Sequence, residues 1–290
     1  MNENDISCLV NLSFKELNST LLAFADLKTS RNVSQFHHTL PNYLPTPLVK
    51  LSQLANFLKI KHLLIKDESQ RFDLNAFKVL GASYAIAKYL VKLLGLAESE
   101  LTFDRIIANK AKYRNVTFVT ATDGNHGRAV AWVTKLFGCK SVVYMPKGST
   151  KVRLEAICSF GAEAYITELN YDDTVTYAQQ QAQNNGWVLL QDTSWEGYEE
   201  VPRHIMQGYF TLVTECLSQE RDLWPTHVFL QAGVGSFAAA ILAYMSNFTD
   251  RSTPKFIIVE PQGAPCLFES IKNNTGDPIR IEGDLPTIMA

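Results

Sequence analysis

From residue 62 onward, short apolar runs alternate with longer segments whose apolar residues recur at helical period, and this alternation leaves few folds open. Strands are predicted at His62–Lys66, Thr117–Thr120, Ser141–Met145, Ala164–Thr167, Val188–Leu190, His227–Leu230 and Phe256–Val259. Helices are predicted between them, over Lys78–Leu94, Gly127–Phe137, Thr150–Phe160, Tyr171–Asn184, Tyr198–Leu217, Ser236–Met245 and Ala264–Asn273. A strand, a helix and a second strand make a βαβ unit, whose strands lie parallel because the helix returns the chain to the edge it left. The fold class is therefore α/β, parallel sheets flanked by helices. At 290 residues, 46% of them hydrophobic, the chain is long enough for two lobes. Residues 1–45 are less regular, and the prolines of Leu44-Pro45-Thr46-Pro47-Leu48 favour an extended entry segment. The polar stretch from Glu98 to Asn115 reads as a solvated surface excursion.

Charge narrows the partners. Lys and Arg number 27 against 29 Asp and Glu, so the chain carries neither the basic footprint of a nucleic-acid binder nor a basic membrane face. A small-molecule substrate is expected. No basic segment leads into an apolar core at the start, and no eighteen consecutive apolar residues occur, so the expected location is cytoplasmic. Cys8, Cys139, Cys158, Cys216 and Cys266 form neither a C-x-x-C pair nor a zinc spacing, and are expected to be reduced and mostly buried, with no metal site.

Four segments carry chemistry. Lys78 follows Asn75-Ala76-Phe77 at the start of an apolar helix, where desolvation favours the neutral, nucleophilic amine; a surface lysine would read the same locally. Thr120-Ala121-Thr122-Asp123-Gly124-Asn125-His126-Gly127 lies between a strand and a helix, where backbone N–H groups freed by two glycines can hold a carboxylate or phosphate. An ordinary capped helix start, with Asp123 or Asn125 at the cap, fits equally well. Gln231-Ala232-Gly233-Val234-Gly235-Ser236 is a second strand-to-helix glycine turn. Neither the third glycine of a dinucleotide fingerprint nor the lysine of a nucleoside-triphosphate loop follows, which leaves a monophosphate. In Gln191-Asp192-Thr193-Ser194-Trp195-Glu196-Gly197-Tyr198 a carboxylate follows a strand directly, as ligand-facing groups do in open α/β sheets; Asp192 also suits a cap or turn.

Together with Pro45-Thr46-Pro47-Leu48, Lys66-Asp67-Glu68-Ser69, the run Arg71 to Lys78 and Val259-Glu260-Pro261, these segments resemble the fold-type II pyridoxal-phosphate enzymes, the superfamily of threonine dehydratase and cysteine synthase. Within it the chain is similar to the 2,3-diaminopropionate ammonia-lyase family. Two features narrow the resemblance: Asp123, where threonine and serine dehydratases carry a small residue, and the run from Gln191 to Glu200.

The resemblance implies a two-lobed, tryptophan-synthase-β-like fold, with residues 1–82 and 188–290 in the larger lobe and 83–187 in a smaller inserted α/β lobe. It implies pyridoxal 5'-phosphate in Schiff-base linkage to Lys78, with Asn125 at the pyridine 3-oxygen and Gly233, Val234, Gly235 and Ser236 at the phosphate. Thr122, Gly124 and His126 would take the substrate carboxylate through their backbone, and Asp123 and Asp192 would act with Lys78 as acids and bases. The implied reaction is α,β-elimination of 2,3-diaminopropionate, of either hand, to pyruvate and ammonia by a homodimer serving amino-acid catabolism. A threonine or serine dehydratase, a β-replacing relative and a non-catalytic remnant are the alternatives. The resemblance further implies a C-terminally truncated chain with an incomplete larger lobe: it lacks the segment that completes that lobe in the family and brings a hydroxyl residue to the pyridine nitrogen, an absence that would bare a sheet edge and apolar helix faces.

Overall fold

The computed structural model describes residues 6–10, 22–122, 124–273, 278, 279 and 281. An N-terminal helix, α1 (Leu27–Thr39), forms where the sequence predicted little order. Its residues are mostly polar, which hid it, but Asp26 caps it by accepting Thr29 N–H at 2.8 Å, and Val33, Phe36 and His37 are buried. His37 fastens α1 to the core through Thr211 Oγ1 at 2.6 Å and the Leu80 carbonyl at 3.1 Å, and burial pushes its pKa down to about 3. Two short strands follow, β1 (Leu48–Lys50) and β2 (Leu64–Lys66), paired antiparallel.

The helix α2 (Lys78–Leu94) then runs through the centre of the molecule. Val79, Leu80, Ala82, Ala85, Ile86, Ala87 and Leu90 are all buried, so it is apolar around its circumference, and Gly95, left-handed at φ +65°, ends it. Beyond it the Glu98–Asn115 stretch is only partly the solvated excursion predicted. Its short helices Phe103–Ile107 and Lys110–Tyr113 bury Ile106 and Tyr113.

Next comes a run of βαβ units: β3 (Thr117–Ala121), α3 (Asn125–Phe137), β4 (Lys140–Met145), α4 (Lys151–Cys158), β5 (Glu163–Ile166), α5 (Tyr171–Asn185) and β6 (Val188–Leu189). Their strands form one all-parallel sheet in the order β5-β4-β3-β6, in which Val119 lies opposite Val142 on one side and Leu189 on the other. Val119, Ala121, Val142 and Tyr144 face α5, while Val143 and Met145 face α3 and α4. A strand covered on both faces is apolar at successive positions, as at Phe118–Val119 of β3 and Val142–Met145 of β4.

After α6 (Glu200–Gly208) and α7 (Phe210–Gln219), a parallel pair β7 (His227–Gln231) and β8 (Lys255–Val259) encloses α8 (Ser236–Ser246), and α9 (Cys266–Asn273) follows. Phe229 and Val259 on this pair are 68% and 50% exposed. All five cysteines are free; Cys8 and Cys158 are exposed and the other three half-buried, so the expectation of mostly buried thiols is corrected.

The predicted helix Tyr198–Leu217 is in fact two, α6 and α7, hinged at Tyr209. Gly208, the last residue of α6, crosses α2 at Gly81. A Cβ there would stand 2.4 Å from the Leu80 carbonyl and 2.7 Å from Gly81 Cα, while a Cβ on Gly81 would meet Ile205 and Tyr209 at 2.8 Å. The two backbones touch with nothing between them. Gly208→Ala is therefore expected to destabilise the chain by about 1–3 kcal/mol, the usual cost of overpacking. Urea denaturation checks it, and an unmoved midpoint would show that α2 and α6 can separate freely.

One ionic cluster ties the front of α2 to α7. Glu215 is buried and accepts both Arg71 Nη1 and Arg71 Nη2 at 2.8 Å, Lys66 Nζ at 2.5 Å and the Tyr43 hydroxyl at 2.6 Å. Arg71, 1% exposed, also holds Glu68 at 2.8 Å. Two cations thus meet two carboxylates. Burial alone would raise the Glu215 pKa, but the Arg71 guanidinium overrides it and holds the group at about 2. Directly after Arg71, Phe72, Asp73 and Asn75 all have left-handed backbones, with φ between 50° and 57°. Such strain persists only where the surroundings impose it, and here it sets the approach to Lys78.

Candidate active site

Lys78 opens α2, and Phe77 before it packs against Phe237 at 4.5 Å and Tyr209 at 5.2 Å between ring centroids. These rings come from α8 and from the segment between α6 and α7, so three helices meet at Phe77, next to the lysine. Lys78 Nζ lies 2.7 Å from Asp192 Oδ2; its side chain is 29% exposed and that of Asp192 is 4% exposed. The amine therefore faces an opening while its partner lies inside.

Asp192 is the point where the segments singled out in the sequence meet. It follows β6, and its carboxylate bonds Lys78 while its backbone carbonyl accepts the Ser236 hydroxyl at 2.5 Å. The glycine turn before α8 and the lysine at the head of α2 thus touch one residue from opposite sides. Burial works to raise the Asp192 pKa, yet the Lys78 ammonium beside it holds the carboxyl at about 2.

The segment around Asp192 is held by its neighbours. Gln191 Oε1 accepts the Thr120 hydroxyl and Ala121 N–H, both at 3.1 Å, and its amide reaches the Tyr171 hydroxyl. Tyr198 accepts Gln191 N–H at 2.8 Å, donates to the Leu189 carbonyl at 3.0 Å and stacks on Trp195 at 4.3 Å. The residues that look decorative in Gln191–Tyr198 therefore hold the carboxylate in place.

The loop after β3 lies alongside. Thr122 is buried, donates its N–H to the Tyr144 carbonyl at 3.0 Å and accepts Gly124 N–H on its hydroxyl at 3.0 Å. Asn125 is exposed at the first residue of α3, His126 is buried behind it, and Gly127 packs so closely on Thr122 that a Cβ would stand 2.4 Å from its methyl. Asp123 lies outside the described residues. At the third segment Gly233, Val234 and Gly235 are half-buried, and Gly235, with φ +89°, turns the chain so that α8 starts at Ser236. A cofactor bearing an aldehyde and a phosphate fits this donor set: an amine, an apolar wall of Phe77 and Phe237, and a glycine turn presenting the first N–H groups of an eleven-residue helix. Among the described residues no group of three or more His, Cys, Asp or Glu side chains is placed to hold a metal ion, and no helix is long and apolar enough to cross a membrane.

Two features escaped the sequence. The His126 side chain turns toward Asp192, with Nδ1 3.8 Å from Oδ2, and Tyr209 joins the rings around Phe77. The first could have been suspected from a histidine next to a glycine turn, the second from nothing local, since Tyr209 lies 132 residues from Phe77 in the sequence.

Comparison with known proteins gives the same direction. Residues 39–290 match the family model described as pyridoxal-phosphate dependent enzyme. A diaminopropionate ammonia-lyase of Salmonella typhimurium is 48% identical over 274 residues, which is 93% of this chain and 68% of that protein. The crystal structure of holo diaminopropionate ammonia lyase from Escherichia coli superposes with a TM-score of 0.86 at 44% identity, covering 95% of this chain and 69% of that one. The same enzyme in complex with an aminoacrylate-PLP azomethine reaction intermediate superposes with a TM-score of 0.85 at 42% identity, covering 95% and 71%.

Proposed function

Because the chain belongs to the pyridoxal-phosphate-dependent enzymes and, within them, to the diaminopropionate ammonia-lyases, we propose that it eliminates ammonia from 2,3-diaminopropionate to leave pyruvate, with Lys78, Asp123 and Asp192 as its acid–base groups. The observation that carries the assignment of residues is the 2.7 Å contact between Lys78 Nζ and a carboxylate buried where three loops meet. Pyridoxal 5'-phosphate, when bound, supplies an aldehyde for an amine and a conjugated ring that draws electron density from Cα.

The chain's own residues do the rest. Lys78 offers its amine and moves a proton at Nζ. Gly233, Val234 and Gly235 hold phosphate through backbone N–H groups at the head of α8. Ser236 joins them by its N–H, since its hydroxyl proton is already committed to the Asp192 carbonyl. Asn125, exposed at the start of α3, supplies a side-chain donor to the ring oxygen, and the backbone of Thr122, Gly124 and His126 takes the substrate carboxylate.

Asp192 is a poor base while the Lys78 ammonium sits beside it, because that charge stabilises its ionised form. Once Lys78 no longer presents an ammonium, burial prevails and the proton affinity of Asp192 rises, so the carboxylate becomes a base when the amine is otherwise engaged. The β-amino group must leave as ammonia, so a proton has to be held at its nitrogen, a task for Asp192 or Asp123.

The wider organisation belongs to the same proposal: residues 1–82 with 188–290 as the larger lobe, 83–187 as the smaller, and a cytoplasmic homodimer. The four-stranded sheet within the middle segment supports the division, although β6, at 188–189, adds itself to that sheet.

Two assays test the reading. Purified chain with pyridoxal 5'-phosphate should give a visible absorption band that borohydride fixes covalently onto Lys78, and should release pyruvate and ammonia from diaminopropionate; 2-oxobutyrate from threonine at a higher rate would favour a dehydratase instead. Asp123→Asn is expected to slow one enantiomer and Asp192→Asn the other or both, each by about 10²–10³-fold. Near-native rates for both variants on both enantiomers would contradict two bases.

A further inference from the structure

His126 is 2% exposed, and its Nδ1 is buried without a hydrogen-bond partner among the described residues. Its Nε2 lies 2.8 Å from the Leu190 carbonyl, which can only accept, so Nε2 carries the ring proton. Burial pushes the ring's pKa down, which leaves the imidazole neutral and Nδ1 bare. That bare nitrogen looks at Asp192 Oδ2 from 3.8 Å, and the same oxygen accepts Lys78 Nζ at 2.7 Å. Asp192 and Lys78 are the charged groups that bear on His126 among the described residues.

Two acceptors facing each other make no bond until one of them gains a proton. The arithmetic of charge then suggests when that happens. With Lys78 as an ammonium, the cation and the Asp192 carboxylate sum to zero. When Lys78 Nζ carries no charge, the buried carboxylate is left alone, and one proton on Asp192 restores neutrality. Neutral His126 Nδ1 is placed to accept that O–H after a shift of under an ångström or so, within the usual hydrogen-bond range.

We propose that His126 is a positioning residue for the elimination: with its tautomer fixed by the Leu190 carbonyl, its Nδ1 receives the protonated Asp192 carboxyl, so that the pair stores one proton in the interval when Lys78 offers none. This rests on the reading of Asp192 as an acid–base group. The proton balance is closed. A proton leaves the substrate Cα for Asp192 Oδ2, is held in the O–H···Nδ1 contact, and returns from Oδ2 to the departing β-nitrogen, which leaves as ammonia with Asp192 ionised again.

Nitrogen NMR of histidine-labelled protein tests the pair without any turnover. In the wild-type chain His126 should show a protonated Nε2 and a bare Nδ1. In Lys78→Met, which removes the ammonium, Nδ1 should shift toward the hydrogen-bonded value across the neutral range while Nε2 stays put; an Nδ1 that remains bare throughout overturns the proposal, whether or not the chain proves to be a lyase. Kinetics supply the second arm. His126→Gln can still reach the Leu190 carbonyl but lacks Nδ1, and should lower kcat by about 10- to 100-fold with KM and melting temperature unchanged and the acidic limb of the kcat profile displaced. His126→Asn puts an amide near the Nδ1 position and should recover part of the loss. Equal losses in both variants that follow their melting temperatures, with an undisplaced pH profile, would make His126 a purely structural residue.

Discussion

Lys78→Ala is expected to end ammonia release from either enantiomer of 2,3-diaminopropionate, kcat/KM falling by more than about 10⁴-fold. Lys78 is the amine that the buried Asp192 carboxylate holds, at 2.7 Å. The loss has two parts that a second variant separates. Alanine removes both the nucleophile and the cation, so burial then governs Asp192 and its pKa rises from about 2. Lys78→Arg keeps a cation near Asp192 but no usable nucleophile. If both variants are equally dead and only alanine changes the number of protons taken up near neutral pH, the amine itself is the essential element. Activity within about tenfold of wild type in Lys78→Ala would remove it from the mechanism. Pyruvate formation followed continuously, beside the visible absorption of the bound cofactor, reads all of this.

A second large effect concerns a residue that need not touch substrate. Glu215→Ala leaves Arg71 and Lys66 buried with one carboxylate instead of two, and breaking a buried pair in this way costs about 3–5 kcal/mol. For a chain of this size the melting temperature should fall by roughly 10 °C. Part of the activity should go with it, because Arg71 anchors the left-handed run Phe72, Asp73 and Asn75 that delivers Lys78. Replacing Glu215 together with Arg71 by methionine should recover much of the stability, since apolar side chains of similar volume can replace a buried ion pair at little net cost. A single variant that melts within about 1 kcal/mol of wild type would show that the cluster is solvated and weak.

What could be read in advance follows from how local each signal is. Lys78–Leu94 was read to the residue because an apolar stretch ends in a lysine on one side and a helix-stopping glycine on the other. Strands β3 and β4 are legible because burial on both faces keeps their centres apolar, at Phe118–Val119 and Val142–Met145, with Thr120 the one buried polar residue between Val119 and the end of β3. α1 was missed because its buried positions are few and spaced among Lys, Ser, Arg and Gln, and the crossing of α6 on α2 because it joins Gly208 to Gly81 and Leu80, far away in sequence. At the site, Lys78, Thr122, Asn125, Asp192 and the Gly233–Ser236 turn stood out by type and place. Their places at the carboxyl ends of strands point to one crevice, but that the Asp192 carboxylate pairs with Lys78 and that the His126 ring faces it depends on contacts between segments 66 to 114 residues apart, which no local pattern encodes.

The glycine crossing of α2 and α6 limits what either helix can exchange without disturbing the other. A side chain gained at position 81 would meet the Ile205 side chain and the Tyr209 ring at 2.8 Å and the Ile205 carbonyl at 2.9 Å, so the helix backbones themselves would have to part, and Tyr209 is also one of the rings packed on Phe77. The seam that lets the two helices touch and the wall behind the reactive amine therefore share a residue, and substitutions that ease the one reshape the other.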